Sequence, residues 1–334
     1  MIRPSFIASK QLPADFEFQP LPLLRNPHIQ TVLGALVPGL DCPLPDERSV
    51  VRLADGDCLV LHNNTPLGWK DGDPLALLVH GLSGSHLSPH IRRLAALLLA
   101  RRARVVRMDL RGTGAGLPLA RGVYHAGRSD DLRAVLAELH ARSPASPLLL
   151  IGLSLGGALS LRLAGEAAKQ PVPGLTRVAA ISPPIDLPRC SALLSLPKNR
   201  IYEDNFIRDL LFQARQRQRF FPDLPPLSFP RRRLTMQLFD DLYTAPRSGF
   251  VDAKHYYRTA SCAPLIPHIQ LPTLILTARD DPFIAVEPFE ELKAPSNVLV
   301  RIVQHGGHIG FLGWDGFGGI RWAERRIVEW ILHS

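Results

Sequence analysis

Apolar runs of six or seven residues recur down this chain, most of them followed by a stretch with helical spacing. Leu75-Ala-Leu-Leu-Val-His80 precedes Ser88–Arg101, Arg104-Val-Val-Arg-Met-Asp-Leu110 precedes Ser129–Arg142, and Pro147–Leu153 precedes Gly156–Gln170. Three more runs follow: Arg177-Val-Ala-Ala-Ile-Ser182, Pro272-Thr-Leu-Ile-Leu-Thr277 and Asn297-Val-Leu-Val-Arg-Ile-Val303, with a closing helix at Ile320–Leu332. Such runs are short for helices and too continuously apolar for strands with one wet face. Alternated with amphipathic helices, they require an α/β fold with a mostly parallel central sheet and helices on both faces.

Two interruptions define the expected organisation. The first forty-odd residues are Pro-rich without a clean period, so 1–47 is read as an N-terminal arm, followed by strand-like runs at Ser49-Val-Val-Arg-Leu53 and Cys58-Leu-Val-Leu-His62. Ser182 and Pro272 lie 90 positions apart. An unstructured loop of that length is improbable in a compact domain, and Phe206, Ile207, Leu210 and Leu211 fall at helical spacing within it. Residues 185–260 are therefore expected to form a helical cap inserted into a core made of 48–184 and 261–334. One stripe of that cap should pack on the core or line a pocket.

Composition removes several function classes. No apolar run reaches bilayer-spanning length, and Met1-Ile-Arg-Pro-Ser-Phe lacks an apolar segment behind it, so a cytoplasmic location is expected. Cys42, Cys58, Cys190 and Cys262 are far apart and form no CxxC pair, so free core thiols are expected and no metal site. The net charge of +9 is scattered, with clusters at 215–219 and 231–233. These are read as solvated faces; peripheral contact with a lipid surface is compatible with them, and no nucleic-acid module is visible.

In open parallel sheets, sites form beyond the carboxyl ends of the strands. The run ending at Gly152 delivers Gly152-Leu153-Ser154-Leu155-Gly156, a G-x-S-x-G between a strand and a helix. That turn lifts a serine hydroxyl above the sheet, and the N–H of Leu155 is placed to receive an oxyanion. A second donor is expected from His80-Gly81-Leu82-Ser83-Gly84, with the N–H of Leu82 chosen. His80 itself is expected to orient that loop through a hydrogen bond.

A serine hydroxyl needs a base, and the base needs a carboxylate to hold its tautomer. Ala278-Arg279-Asp280-Asp281-Pro282-Phe283 and Gln304-His305-Gly306-Gly307-His308 follow the last two strands, which gives the order serine, acid, histidine expected of such a fold. Each pair offers two candidates. His308, with small neighbours, is preferred as the base, and His305 is expected to close the strand. Asp281 is preferred as the acid, with Asp280 as a loop brace.

These residues carry a family resemblance. The chain resembles the YheT-like branch of the α/β-hydrolases, related to animal ABHD lipases and esterases. Beyond the serine motif the likeness includes Asn26-Pro-His-Ile-Gln-Thr31, Asp109-Leu-Arg-Gly112, Tyr124-His-Ala-Gly127, Phe239-Asp-Asp241, Gly249-Phe250 and Tyr256-Tyr257. Leu110-Arg111-Gly112-Thr113 departs from the branch, which usually has an aromatic before the arginine and a cysteine after the glycine. The resemblance implies a triad of Ser154, Asp281 and His308, no cofactor, and hydrolysis of carboxylic esters that are small molecules or lipids. It leaves acyl length, head group and oligomeric state open.

Other readings fare worse. Gly112-Thr113-Gly114-Ala115-Gly116 has the wrong spacing for a dinucleotide loop and is followed by Pro118, no P-loop motif exists, and His86 and His90 lack the glutamate of a zincin. Acyl transfer from the same acyl-enzyme, and a non-enzymatic binder of apolar ligands or lipid surfaces, are the alternatives to hydrolysis.

Overall fold

The computed structural model describes residues 17–37, 39–42 and 46–333. The expected leaderless N-terminus and part of the 1–47 arm therefore lie outside the described residues. The strands are β1 (Glu47–Arg52), β2 (Cys58–Asn64), β3 (Leu75–Val79), β4 (Arg104–Met108), β5 (Leu148–Leu153), β6 (Leu175–Ile181), β7 (Thr273–Ala278) and β8 (Val298–Val303). They form one sheet in the order β1-β2-β4-β3-β5-β6-β7-β8. The β1–β2 hairpin joins β4 antiparallel, with Leu61 opposite Met108, and every pair from β4 to β8 is parallel.

Both faces are dry. Along β3, Leu75, Leu77 and Val79 enter one core while Ala76 and Leu78 enter the other, and β5 divides Leu148 and Leu150 from Leu149, Ile151 and Leu153 in the same way. This is the period-2 alternation of a strand with apolar residues on both sides. Helices α3 (Ser129–Arg142) and α4 (Leu155–Glu166) cover the first face. Helix α2 (Pro89–Ala100) and the C-terminal helix Trp322–Leu332 cover the second. Each fully buried Leu or Ile contributes roughly 1.5–3 kcal/mol relative to exposure.

Between β6 and β7 the chain forms α5 (Leu187–Leu194), α6 (Arg200–Phe220), a helical segment from Met236 to Arg247 with a π-turn, and the helix Ala253–Ala260. α6 is the longest of these helices, at 21 residues.

The N-terminal arm holds one element that periodicity missed, α1 (Pro27–Leu36). Asn26 caps it, its Oδ1 accepting from the N–H groups of His28 at 2.9 Å and Ile29 at 3.2 Å, and Pro27 occupies the first turn.

Candidate active site

Ser154 lies on the turn between β5 and α4 at φ +50°, ψ −119°. Few residues with a side chain adopt that region, and it persists only where the surroundings enforce it. Here the Ser154 N–H donates to Ile181 O on β6 at 2.8 Å, and Ser154 O accepts from Ala158 N at 3.1 Å. The flanking glycines are required by close approach. A Cβ on Gly152 would fall 2.2 Å from Gly156 O, and one on Gly156 would fall 2.3 Å from Val79 O.

Leu155 is the first residue of α4, where an N–H has no intrahelical acceptor and the helix dipole is positive. Among the described residues, neither Leu155 N–H nor Leu82 N–H finds an acceptor. Gly81 brings the Leu82 loop against the serine: a Cβ there would sit 3.1 Å from Ser154 Cβ. The loop is held from both sides. Tyr124 Oη accepts from Ser83 N at 3.0 Å, and Gln213 Nε2 donates to Ser83 O at 3.3 Å.

His80 braces this loop. Its Nε2 accepts from Leu110 N at 3.1 Å, so Nδ1 carries the proton and donates to Gly81 O at 2.7 Å. Complete burial lowers its pKa and keeps the ring neutral.

At the ends of β7 and β8, His308 Nδ1 lies 2.8 Å from Asp281 Oδ2. Asp281 Oδ1 accepts from Phe283 N at 3.1 Å and Ile284 N at 3.0 Å, which fixes the carboxylate and leaves Oδ2 to the ring. The pairing puts the proton on Nδ1 and leaves the lone pair on Nε2. Asp280 turns to its own loop, accepting from Gly307 N at 2.9 Å and meeting His305 Nδ1 at 3.3 Å. Burial raises its pKa.

The His308 loop rests on α1. His308 N donates to Thr31 Oγ1 at 2.9 Å, and Gln30, fully buried, accepts from Leu312 N at 2.7 Å and donates to Leu312 O at 3.2 Å. The two segments cross at glycines: a Cβ on Gly34 would lie 2.6 Å from Gly310 Cα. His28 Nδ1 meets Tyr202 Oη of α6 at 3.1 Å, so α1 also touches the segment between β6 and β7.

Ser154, Leu82 and Leu155 line a cavity of about 130 Å³. Its wall is largely apolar, with Phe206 and Leu210 from α6 and Phe283 from the Asp281 loop. Ile207 and Leu211 of the same sequence stripe face away, into a separate groove. Sequence reasoning met Gln30 and Thr31 only as part of a family-like motif and passed over Gln213; all three make hydrogen bonds across long chain separations. It also placed Arg217 in a solvated cluster, whereas Arg217 is 2% exposed and lines this cavity.

Beside the site, Asp109 gathers the loop residues. It accepts from His86 N at 2.8 Å, His86 Nδ1 at 2.9 Å, His62 Nε2 at 3.1 Å and Ala115 N at 2.9 Å, which hold its carboxyl far below the usual range despite burial. His62 and His86 stack with ring centroids 3.3 Å apart and nearly parallel planes. Asp46, His62 and His86 are close enough to be a candidate metal cluster. In parallel stacked rings, however, the in-plane lone pairs do not converge on one point, and both rings are already engaged with Asp109. The group reads as a structural clasp.

A mostly parallel eight-stranded sheet with a serine on the turn after β5 defines the class: this is an α/β hydrolase, and the chain belongs to the family described by the alpha/beta hydrolase fold model, which matches residues 74–313. Within that family it falls in the YheT-like branch. It is 30% identical over 319 residues to YheT of Escherichia coli (strain K12), covering 94% of this chain and 93% of that protein. Phospholipase ABHD3 of Mus musculus is 28% identical over 279 residues, covering 81% of this chain and 67% of that protein. The structure of the Pyrococcus furiosus esterase Pf2001 shares the fold, with a TM-score of 0.55 at 18% identity, over 88% of this chain and 95% of that one. By family, the protein is an esterase- or lipase-like hydrolase. Among the described residues, no helix is long and apolar enough to cross a membrane.

Proposed function

We propose that the protein is a serine hydrolase that cleaves carboxylic esters through Ser154, His308 and Asp281. The observation that carries this reading is the strained Ser154, set in the wall of an apolar cavity between two N–H groups without acceptors. The substrate carbonyl sits over Ser154 with its oxygen toward Leu82 N–H and Leu155 N–H. His308 Nε2 takes the hydroxyl proton as Ser154 Oγ attacks the carbon, and Asp281 stabilises the imidazolium. Collapse of the tetrahedral intermediate expels the alcohol, which leaves with that proton. Water then attacks the acyl-enzyme, with His308 again as base, and releases the acid and free Ser154. Two oriented N–H donors account for roughly 10²–10³-fold each in such sites. The 185–260 segment serves as a cap whose α6 face lines the acyl pocket and excludes bulk water.

The test is a fluorophosphonate probe followed by peptide mass spectrometry, with p-nitrophenyl butyrate turnover measured in parallel. Labelling at Ser154, and loss of both signals in Ser154→Ala, are expected. An unlabelled Ser154, or esterase activity retained by Ser154→Ala, would remove the proposal.

A further inference from the structure

Arg217 is a buried cation without an anion. It projects from α6 into the wall of the cavity that holds Ser154 and is 2% exposed. Its Nη1 donates to Tyr243 Oη at 2.7 Å and its Nη2 to Gly112 O at 3.1 Å, both neutral acceptors. Nε has no partner among the described residues. A guanidinium carries five N–H donors, so this one keeps donors in reserve. Tyr243 lines the same cavity, and its hydroxyl proton finds no acceptor among the described residues.

Leaving a charge in this state is costly. A buried ion is ordinarily compensated by a partner of opposite sign. The chain follows that rule elsewhere: buried Arg111 meets Asp57 and Asp131, and buried Arg93 meets Glu324. The acid lining this cavity is Asp240, but it accepts from Tyr257 Oη at 2.6 Å and forms no ion pair with Arg217 among the described residues. A purely mechanical tie from α6 to Gly112 and Tyr243 would be served by a neutral amide.

Position along α6 adds a direction. Leu210, Gln213 and Arg217 all line the cavity. Gln213 reaches Ser83, next to the proposed oxyanion donor Leu82. Arg217 stands one helical turn further on, about 6 Å along the axis. We propose that Arg217 and Tyr243 form an anion-recognising subsite, so that the preferred esters carry a carboxylate or phosphate a few bonds from the carbonyl that is cleaved. This rests on the serine-hydrolase reading above and assigns that site its substrate class.

The experiment has a kinetic and a binding arm. Ratios of kcat/KM are measured for monoethyl succinate, glutarate and adipate against the ethyl esters of neutral acyl chains of matching length. They are also measured for 1-butyrylglycerol 3-phosphate against 1-butyrylglycerol. The wild type should favour the anionic member of at least one pair by about 10- to 100-fold, the range of a charge-assisted hydrogen-bonded contact. The acyl-side or alcohol-side series that shows the preference identifies where the anion rides. The ratio should collapse in Arg217→Gln, survive in part in Arg217→Lys, and fall less in Tyr243→Phe, which keeps the charge should Arg217→Gln fail to fold. In the binding arm, calorimetry of monoethyl glutarate on Ser154→Ala, which needs no turnover, should show at least tenfold weaker binding once Arg217→Gln is added. Equal ratios across both series, or binding indifferent to residue 217, would overturn the subsite. Loss of all turnover with residue-217-dependent binding intact would instead overturn the esterase reading alone.

Discussion

His308 Nδ1 is held 2.8 Å from Asp281 Oδ2, and the neighbouring carboxylate of Asp280 is committed to the backbone of Gly307. Adjacent aspartates therefore do different work. One orients the imidazole and the other shapes the turn that carries it. Asp281→Asn should lower kcat by roughly 10⁴-fold through the wrong tautomer. Asp280→Asn keeps an acceptor for Gly307 and should cost less than tenfold. Purified variants with native circular dichroism decide the matter, and the opposite ranking would exchange the two roles.

The bond from His308 N to Thr31 Oγ1 makes Thr31 a positioning residue for the proposed base. Thr31→Val removes the acceptor and keeps the shape. It should reduce kcat by about tenfold, the scale of one ordinary hydrogen bond, with KM little changed. Thr31→Ser should restore most of the rate. Equal losses in Val and Ser variants would show that packing, and not the hydroxyl, matters at this position.

In the proposed mechanism, the cavity wall at α6 sets the room available to the acyl chain. Leu210→Trp should shift the preferred acyl length downward in an ester series, by a factor corresponding to about 1–3 kcal/mol for the longest chains accepted. Fluorophosphonate labelling of Ser154 should persist. A length profile identical to wild type in a folded variant would assign Leu210 to structural packing only.

Asp240 gives a pH dependence with a defined sign. Burial raises its pKa from 3.8 to about 6, so the folded state binds this proton more tightly than the unfolded chain. Its favourable contribution is complete below the unfolded value and disappears as pH rises through about 6, beyond which a buried charge remains. Asp240→Asn keeps an acceptor for Tyr257 and should stabilise the protein by at most about 3 kcal/mol near pH 8, with the gain shrinking toward zero near pH 4. Paired urea titrations at the two pH values test this. A gain that grows on acidification would contradict the burial argument.

The sheet was readable because both its faces are apolar, which leaves continuous hydrophobic runs at strands such as Leu75–Val79 and Leu148–Leu153. The serine turn was readable because Gly152 and Gly156 are dictated by contacts under 2.5 Å. Helix α1 was not, because its burial is inverted: Gln30 and Gly34 face inward, while Ile29, Val32 and Leu36 are exposed. Apolar periodicity cannot detect a helix whose buried face works by hydrogen bonds and close backbone approach. Arg217 was hidden by the opposite habit, since arginines in a basic cluster usually face water.

The clasp between α1 and the His308 loop has a consequence in time. Pro27–Leu36 is synthesised well before the loop it must hold, residues 306–312, since 277 positions separate Thr31 from His308. Chains emerge at about 5–20 residues per second and fold from the N-terminal side, so the serine turn has its strand and helix many seconds before the proposed base has its support. A nascent chain thus carries the proposed nucleophile while its proposed activator is still missing. In that mechanism, reactivity waits for two segments distant in the chain to meet.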